Sequence, residues 1–349
     1  ASGRVEDLER RLSKAHVKGS WGIAHTRWAT HGEPTEENAH PHTDCRGEVV
    51  LVHNGIIENE QELKRDLRQE GHQFASQTDT EVIAHLVEKY YQGDLEEAVL
   101  KALDRLSGTF GLAVMHARHP GTIVLARRGS PIILGVGDGE ILAASDAGAL
   151  SPFTNRTVFL RDEEMAVIRP DGYTVKNLRN EILDREIHIL EAAADDADRR
   201  GFDHYMLKEI FEQPETVANA FRGRLMEGEG VSKLGGLEPV LDRMLRLRRL
   251  IIVSCGTSYY AGMLGRYIFE SLTEWMVDVE LASEFRYRHL RIGPDTAVLA
   301  ISQSGETADT IAALKEAQRK GAMILGIVNV VGSSIAQMTD AGVYNFAGP

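Results

Sequence analysis

The sequence predicts two folded units of different class: an α+β sandwich over residues 1–190, and an α/β domain with a parallel sheet over residues 223–349. A linker and junction helix at residues 191–222 join them. Three observations predict this. At 349 residues the chain is longer than one ordinary hydrophobic core organises. In the first half, bunched helical patterns sit among short strands separated by turns, whereas in the last third strand and helix alternate. Between the two, residues 184–200 are dense in charge and poor in bulky apolar side chains, as in EAAADDADRR, which places the boundary near residue 190.

Taken in order, the opening ASGRVEDLERRLSK is charged and amphipathic with no apolar core, so it reads as neither signal nor transit peptide. Residues 47–59 place a mostly β-branched run before His53-Asn54-Gly55 and then Ile56-Ile57, which reads as a hairpin turning at Asn-Gly. Residues 59–70, 79–92 and 94–106 carry apolar side chains at three- and four-residue spacing, for example Val82, Ile83, Leu86, Val87 and Tyr90, and predict helices. Short strands follow at 109–116, 122–126, 132–135, 141–144, 157–160 and 165–169, broken by Gly, Pro and Asp. After a helix at 204–222 the pattern becomes strand 250–254, helix 258–272, strand 276–280, strand 297–302, helix 307–320 and strand 323–329. This predicts parallel βαβ units.

Composition narrows the function classes. Hydrophobic residues make up 43% and charged residues 26%, as in ordinary globular proteins. The formal net charge is −13, and no Lys/Arg cluster is interleaved with aromatics, so the expectation is small-molecule ligands, with no nucleic acid and no membrane as partners. The longest apolar runs, such as residues 250–253 and 297–301, are far short of a bilayer span. Two cysteines cannot build a disulfide framework, which points to a reducing compartment and a cytoplasmic protein.

Two constellations carry chemistry. The first begins with His25-Thr26-Arg27-Trp28-Ala29-Thr30-His31-Gly32, which on composition alone reads equally as a surface loop, just as Asn54-Gly55 reads as a turn. A metal site among His25, His31, His40, His42, Cys45 and His53 is disfavoured, because only His42 and Cys45 approach the close spacing typical of zinc ligands. Taken together and in order, HTRWATHG, NAHPH, HNGIIEN and SQTDTEVIAHL resemble the glutaminase domain of the N-terminal-nucleophile amidotransferases, in its aminosugar-forming branch. The resemblance implies an N-terminal-nucleophile (Ntn) hydrolase-type αββα sandwich, here incomplete. It implies that Arg27 holds the α-carboxylate of L-glutamine and Asp79 its α-ammonium, with Thr30, His31 and His40 lining the pocket. Asn54 through its side chain and Gly55 through its backbone N–H would form the oxyanion hole, and Trp28 would gate the ammonia path. The nucleophile in this family is a cysteine at the mature N-terminus. This chain begins with Ala1, so the expectation is that it lacks that segment; Cys45, in a polar turn, reads as an ordinary exposed thiol.

The second constellation is a pair of small-polar loops following predicted strands, Ser254-Cys255-Gly256-Thr257-Ser258 and Ser302-Gln303-Ser304-Gly305-Glu306-Thr307. Helix N-termini bind anions, and small hydroxyl residues add donors without blocking a phosphate, although the same residues also serve as plain helix caps. The pairing of CGTS with SQSGETADT, and SEFRYR between them, resembles the sugar isomerase (SIS) fold of the same aminosugar branch. It implies that Thr257, Ser302, Ser304 and Thr307 bind a sugar phosphate, with Ser258 and Gln303 nearby. Cys255 reads as a buried hydrophobe.

The resemblance implies an aminotransferase. It would release the glutamine amide nitrogen as ammonia and channel it to fructose 6-phosphate, giving glucosamine 6-phosphate, with no organic cofactor or metal and as a homodimer. The isomerase acid/base residues and a second SIS domain would lie beyond Pro349, so the chain by itself is expected to be catalytically incomplete and its sheet short of cover. Two alternatives remain at this point: another glutaminase joined to SIS domains, such as a deglycase of sugar adducts, and a noncatalytic module that binds glutamine or sugar phosphate.

Overall fold

A computed structural model describes residues 3, 5–15, 18–27, 32–189, 199, 201–226 and 228–348. The chain divides into two compact units, Ala1–Leu150 with Arg156–Ile187, and Ser151–Asn155 with His188–Pro349.

In the first unit a short helix α1 (Val5–Leu12) precedes strands β1 (His42–Thr43) and β2 (Val49–Ile57). Helices α2 (Glu60–Gln69), α3 (Glu81–Tyr90) and α4 (Leu95–Leu103) come next, and Asp94 caps α4 by accepting from Glu97 N at 3.1 Å. Then follow β3 (Gly108–His116), β4 (Ile123–Arg128), β5 (Ile133–Val136), β6 (Ile141–Ala144), β7 (Arg156–Phe159), β8 (Glu164–Arg169), β9 (Gly172–Asn177) and β10 (Ile182–Leu183). Seven of these strands form one sheet in the order β1-β2-β3-β4-β8-β9-β10, and β7-β5-β6 belong to a second.

Period-two patterning explains the layering. Phe110, Leu112 and Val114 of β3, Val124 and Ala126 of β4, and Met165 and Val167 of β8 pack with Leu63, Val82, Leu86 and Ala98 on the helices. The intervening Leu125, Ala166 and Ile168 turn the other way and pack with Leu134 and Val158 of the second sheet. Helices, large sheet and small sheet thus make three successive layers, as expected of an incomplete αββα sandwich.

The hairpin expected at residues 47–59 does not form. Val49–Ile57 is one continuous strand, with Asn54 opposite Gly111 and Gly55 opposite Phe110 of β3. Asn-Gly specifies a turn only when the flanking runs pair with each other, and here both runs find the longer β3 instead. The glycine serves a different purpose. Its φ is +142°, and a Cβ there would lie 2.2 Å from Thr109 O.

The second unit opens with strand β11 (His188–Ile189), helix α5 (Tyr205–Phe221), the small strands β12 (Leu225–Met226) and β13 (Val231–Ser232), and helix α6 (Leu241–Met244). Its core alternates β14 (Arg249–Ser254), α7 (Gly256–Leu272), β15 (Met276–Leu281), α8 (Ala282–Phe285), β16 (Thr296–Ser302), α9 (Ala308–Arg319), β17 (Met323–Val328), α10 (Ser334–Met338) and β18 (Ala341–Tyr344). All four pairings of the five-stranded sheet are parallel, in the order β15-β14-β16-β17-β18. One face packs Ile251, Val253, Val298 and Ile324 on Ile311 and Leu314 of α9, and the other packs Leu250, Ile252, Leu299 and Met323 with Val240 and Leu247. The sheet does not lack the cover of α7, whose Gly262 sits against Ile252; the exposed apolar surface lies instead on the outside of that helix. There Tyr260, Leu264, Tyr267, Ile268 and Leu272 are between 50% and 77% exposed. Among the described residues, no helix is long and apolar enough to cross a membrane.

Candidate functional sites

In the first unit the end of β2 and the loop before α3 converge. Asp79 is buried, and its Oδ2 accepts from Ile57 N at 2.8 Å, which ties that loop to the strand carrying Asn54 and Gly55. Asn54 is exposed. Arg27 donates to Gly32 O at 3.1 Å and Glu33 O at 3.2 Å, so its guanidinium closes its own loop. Asn38, which sequence reading did not single out, pins that loop to the next: its Nδ2 donates to Glu33 O at 3.0 Å and its Oδ1 accepts from Gln77 N at 2.8 Å. Trp28, Thr30 and His31 lie outside the described residues.

His40 joins a cluster with His25, His42 and His53. Ring centroids are 4.4 Å apart for His25 and His40, and 4.9 Å for His40 and His42. Proton positions follow from the hydrogen-bond partners. His53 Nε2 lies 3.2 Å from Thr109 O, a carbonyl that only accepts, so Nε2 carries the proton and Nδ1 accepts from Thr80 Oγ1 at 2.9 Å. The Thr80 oxygen is then left to accept from His40 Nε2 at 3.1 Å. That leaves His40 Nδ1 as a buried lone pair, and no partner for it is seen among the described residues. Thr80 occupies the N-cap position of α3 without capping it, its hydroxyl bridging two imidazoles instead.

A parallel chain runs from His42 Nε2 to Thr78 Oγ1 at 3.1 Å, on to Ser76 Oγ at 2.9 Å, and ends on Glu81 Oε2 at 2.6 Å. Burial alone would raise the Glu81 carboxyl. The His85 imidazole, the Ser76 hydroxyl and the amides of Ala75 and Ser76 outweigh it and hold the group at about 2. Burial pushes His40 down to about 2 and His42 to about 4; the Arg27 charge adds to both, and Asp79 opposes it at His42. The charges of Arg27 and Asp79 thus act in opposite directions on His42.

These histidines carry a linkage sign. A base whose folded pKa lies below its unfolded value of about 6.5 stabilises the fold above that pH, and the contribution is lost as pH falls through the window below it. We expect the first unit to be about 2–4 kcal/mol less stable at pH 5 than at pH 7.5. Urea unfolding at the two pH values checks this, and equal midpoints would contradict it.

In the second unit, strand order β15-β14-β16-β17-β18 reverses direction between β14 and β16. That is the switch point at which open parallel sheets leave a crevice at the carboxyl ends of their strands. Both small-polar loops leave from it. Cys255-Gly256-Thr257-Ser258 follows β14 and enters α7, while Ser302 to Thr307 follows β16 and enters α9. Thr310 Oγ1 on α9 lies 3.9 Å from Cys255 Sγ, so the two helix starts are adjacent. Cys255 is half-buried against the core, in keeping with its reading as a small apolar residue.

Neither helix receives a side-chain cap, although Cys255 and Thr307 hold the N-cap positions. The plain helix-cap reading of these loops therefore does not describe them. The hydroxyls build the second loop instead. Ser302 Oγ accepts from Gly305 N at 3.0 Å and lies 3.5 Å from Thr307 Oγ1, while Ser304 Oγ accepts from Glu306 N at 3.2 Å. Thr257 and Gln303 are exposed, and Ser258, Ser304 and Thr307 are half-buried around them.

A third junction, which sequence reading missed, braces this loop. Glu306 accepts from Ser334 N and Ser334 Oγ, both at 2.7 Å, and Ile335 N donates to Gly305 O at 2.9 Å. The signal was available as Gly332-Ser333-Ser334 following the apolar run 323–328. A surface concavity of about 820 Å³, lined by Gln61, Glu62, Lys64, Arg65, Arg68 and Gln69, contains none of the residues of either constellation.

Comparison with known proteins agrees with both units. Residues 25–152 match the glutamine amidotransferase domain and residues 244–349 the SIS domain. Glutamine–fructose-6-phosphate aminotransferase (isomerizing) of Chlorobaculum tepidum is 47% identical over 99% of this chain and 58% of its own length. The protein of that name from Methanothermobacter thermautotrophicus is 47% identical over 100% of this chain and 57% of its own. A solved C-terminal domain of glucosamine-fructose-6-phosphate aminotransferase from Francisella tularensis is 38% identical, with a TM-score of 0.41 over 44% of this chain and 42% of that one. The chain spans under three-fifths of the length of these curated relatives. The chain thus carries a glutamine amidotransferase domain and a SIS domain, and along nearly its whole length it is similar to the glutamine–fructose-6-phosphate aminotransferases.

Proposed function

We propose that the protein carrying this chain transfers the amide nitrogen of L-glutamine to fructose 6-phosphate and forms glucosamine 6-phosphate. The observation that carries the proposal is the pairing, in one chain, of a match to the glutamine amidotransferase domain at residues 25–152 with two uncapped helix starts at a sheet switch point. The 47% identity to named aminotransferases supports the same reading.

In the first unit, Arg27 and Asp79 bind the two charged ends of glutamine. Their opposite charges select a free amino acid over a peptide. Asn54 Nδ2 and Gly55 N donate to the oxyanion that develops on the attacked amide, and His40 lines the pocket beside Asp79. Trp28, Thr30 and His31 complete that pocket on the same proposal. In the second unit, Thr257, Ser302, Ser304 and Thr307 hold the phosphate with the first-turn amides of α7 and α9, with Ser258 and Gln303 beside them. The attacking nucleophile and the isomerase base are not assigned to residues 1–349.

Thr307→Ala tests the sugar half. One hydrogen bond to a charged phosphate is worth about 1.5–3 kcal/mol, so the KM for fructose 6-phosphate should rise about 10- to 100-fold. Glutamine hydrolysis should be unaffected. An unchanged sugar KM would remove Thr307 from the site.

A further inference from the structure

Four side chains that the proposed reaction does not use meet at one point of the first unit. Cys45 lies in the turn between β1 and β2, His72 in the loop after α2, and His85 and Glu88 one turn apart on α3. One ligand atom from each, Sγ, Nδ1, Nδ1 and a carboxylate oxygen, lies within 4.8 Å of the other three. No other such group of His, Cys and carboxylate ligand atoms occurs among the described residues.

Five of the six ligand–ligand separations are close to those of a tetrahedron, and the sixth, Cys45 Sγ to the Glu88 carboxylate, is within 4.8 Å. Tetrahedral Zn²⁺, with bonds of about 2.3 Å to sulfur and about 2.0–2.1 Å to nitrogen and oxygen, spaces its ligands about 3.6 Å apart for sulfur and nitrogen and about 3.3 Å for nitrogen and nitrogen. Here Cys45 Sγ is 3.6 Å from His72 Nδ1 and 3.5 Å from His85 Nδ1, and the two nitrogens are 3.3 Å apart. Glu88 Oε2 lies 3.0 Å from His72 Nδ1 and 3.5 Å from His85 Nδ1. A hydrogen-bonded network does not account for this set. The buried His85 Nδ1 has three neighbours at hydrogen-bond range but one proton or one lone pair to offer.

The surroundings are those of a metal site. Gln73 N points at Cys45 Sγ at 3.5 Å, as amides do toward a coordinated thiolate. His85 Nε2 is buried and faces Glu81 Oε1 at 3.6 Å, and a carboxylate behind a ligating imidazole is the usual outer shell of such a ligand. Of the four, Glu88 also lines a concavity of about 440 Å³ together with Asp44 and Arg46. We propose that Cys45, His72, His85 and Glu88 form a structural tetrahedral site for a divalent cation of zinc type. Four protein ligands leave no open position, so the ion clamps the β1–β2 turn and the α2–α3 loop to helix α3 and takes no part in amide chemistry. On binding, the thiol proton passes to solvent.

The test is a titration of metal-stripped, tag-free protein with Co²⁺ and then Zn²⁺. One equivalent of Co²⁺ should give intense visible bands of four-coordination and a thiolate-to-cobalt band in the near ultraviolet, both abolished by one equivalent of Zn²⁺. Loss of a mere outer partner typically weakens a metal about 10- to 100-fold, so Cys45→Ser should exceed that and should lose the ultraviolet band. Cys45 is exposed and His72 only half-buried, so Cys45→Ser and His72→Ala are expected to fold, which their melting curves check. A wild-type protein without the thiolate band would overturn the proposal. So would folded Cys45→Ser and His72→Ala variants that keep the wild-type spectrum and stoichiometry.

Discussion

Replacing Gly55 with alanine is expected to lower the melting temperature of the first unit by about 5–15 °C. The new Cβ would sit 2.2 Å from Thr109 O and 2.7 Å from Thr109 C, both of them backbone atoms of the paired strand that no rotamer change moves. The φ of +142° adds strain, because only glycine adopts that region readily. Overpacking of about 1–3 kcal/mol and a comparable backbone cost give about 2–5 kcal/mol, which in a unit of this size is about 2–4 °C for each kcal/mol. The same shift would carry the proposed amide donor out of line. Glutamine hydrolysis by the parent protein should then fall by about 100- to 1000-fold at temperatures where the variant is folded. Differential scanning calorimetry with a glutaminase assay reads both effects; an unchanged melting temperature would mean that β2 does not pair with β3 as described.

The second large effect concerns Arg27. Removing one partner of a hydrogen-bonded charge pair costs about 2–5 kcal/mol, so Arg27→Ala should raise the KM for glutamine from about 30-fold to a few thousandfold. The guanidinium also holds Gly32 O and Glu33 O, so some of that loss could come from a loosened loop. Sugar amination fed by free ammonia separates the two causes, since it bypasses glutamine binding and should stay near the wild-type rate. A glutamine KM that does not move would take Arg27 out of the site.

Much of this was legible from residues with strong local signals. Three- and four-residue apolar spacing marked α2 to α4, and apolar runs separated by helical pattern marked β14, β16 and β17, because period and burial coincide there. Asn54-Gly55 was misread as a turn, since the dipeptide records only that positive φ is tolerated, whereas the requirement here comes from Thr109, 54 residues further along the chain. The hydrogen-bonded chains through Thr80 and Thr78 were also out of reach, because their links to His53, His40 and His42 join residues 27 to 40 positions apart. The same limit hid the four-ligand cluster. His85 and Glu88 are a close pair on one helix face, but Cys45 and His72 reach them only through the fold.

The central claim is nitrogen transfer from glutamine to a sugar phosphate. The most direct test supplies the intact natural protein with glutamine labelled with ¹⁵N in its amide, together with fructose 6-phosphate, and analyses the sugar product by mass spectrometry. The account predicts glucosamine 6-phosphate bearing ¹⁵N, with unlabelled glutamate released in equal amount. Glutamine hydrolysis that leaves all of the label in free ammonia, with no aminated sugar, would contradict it.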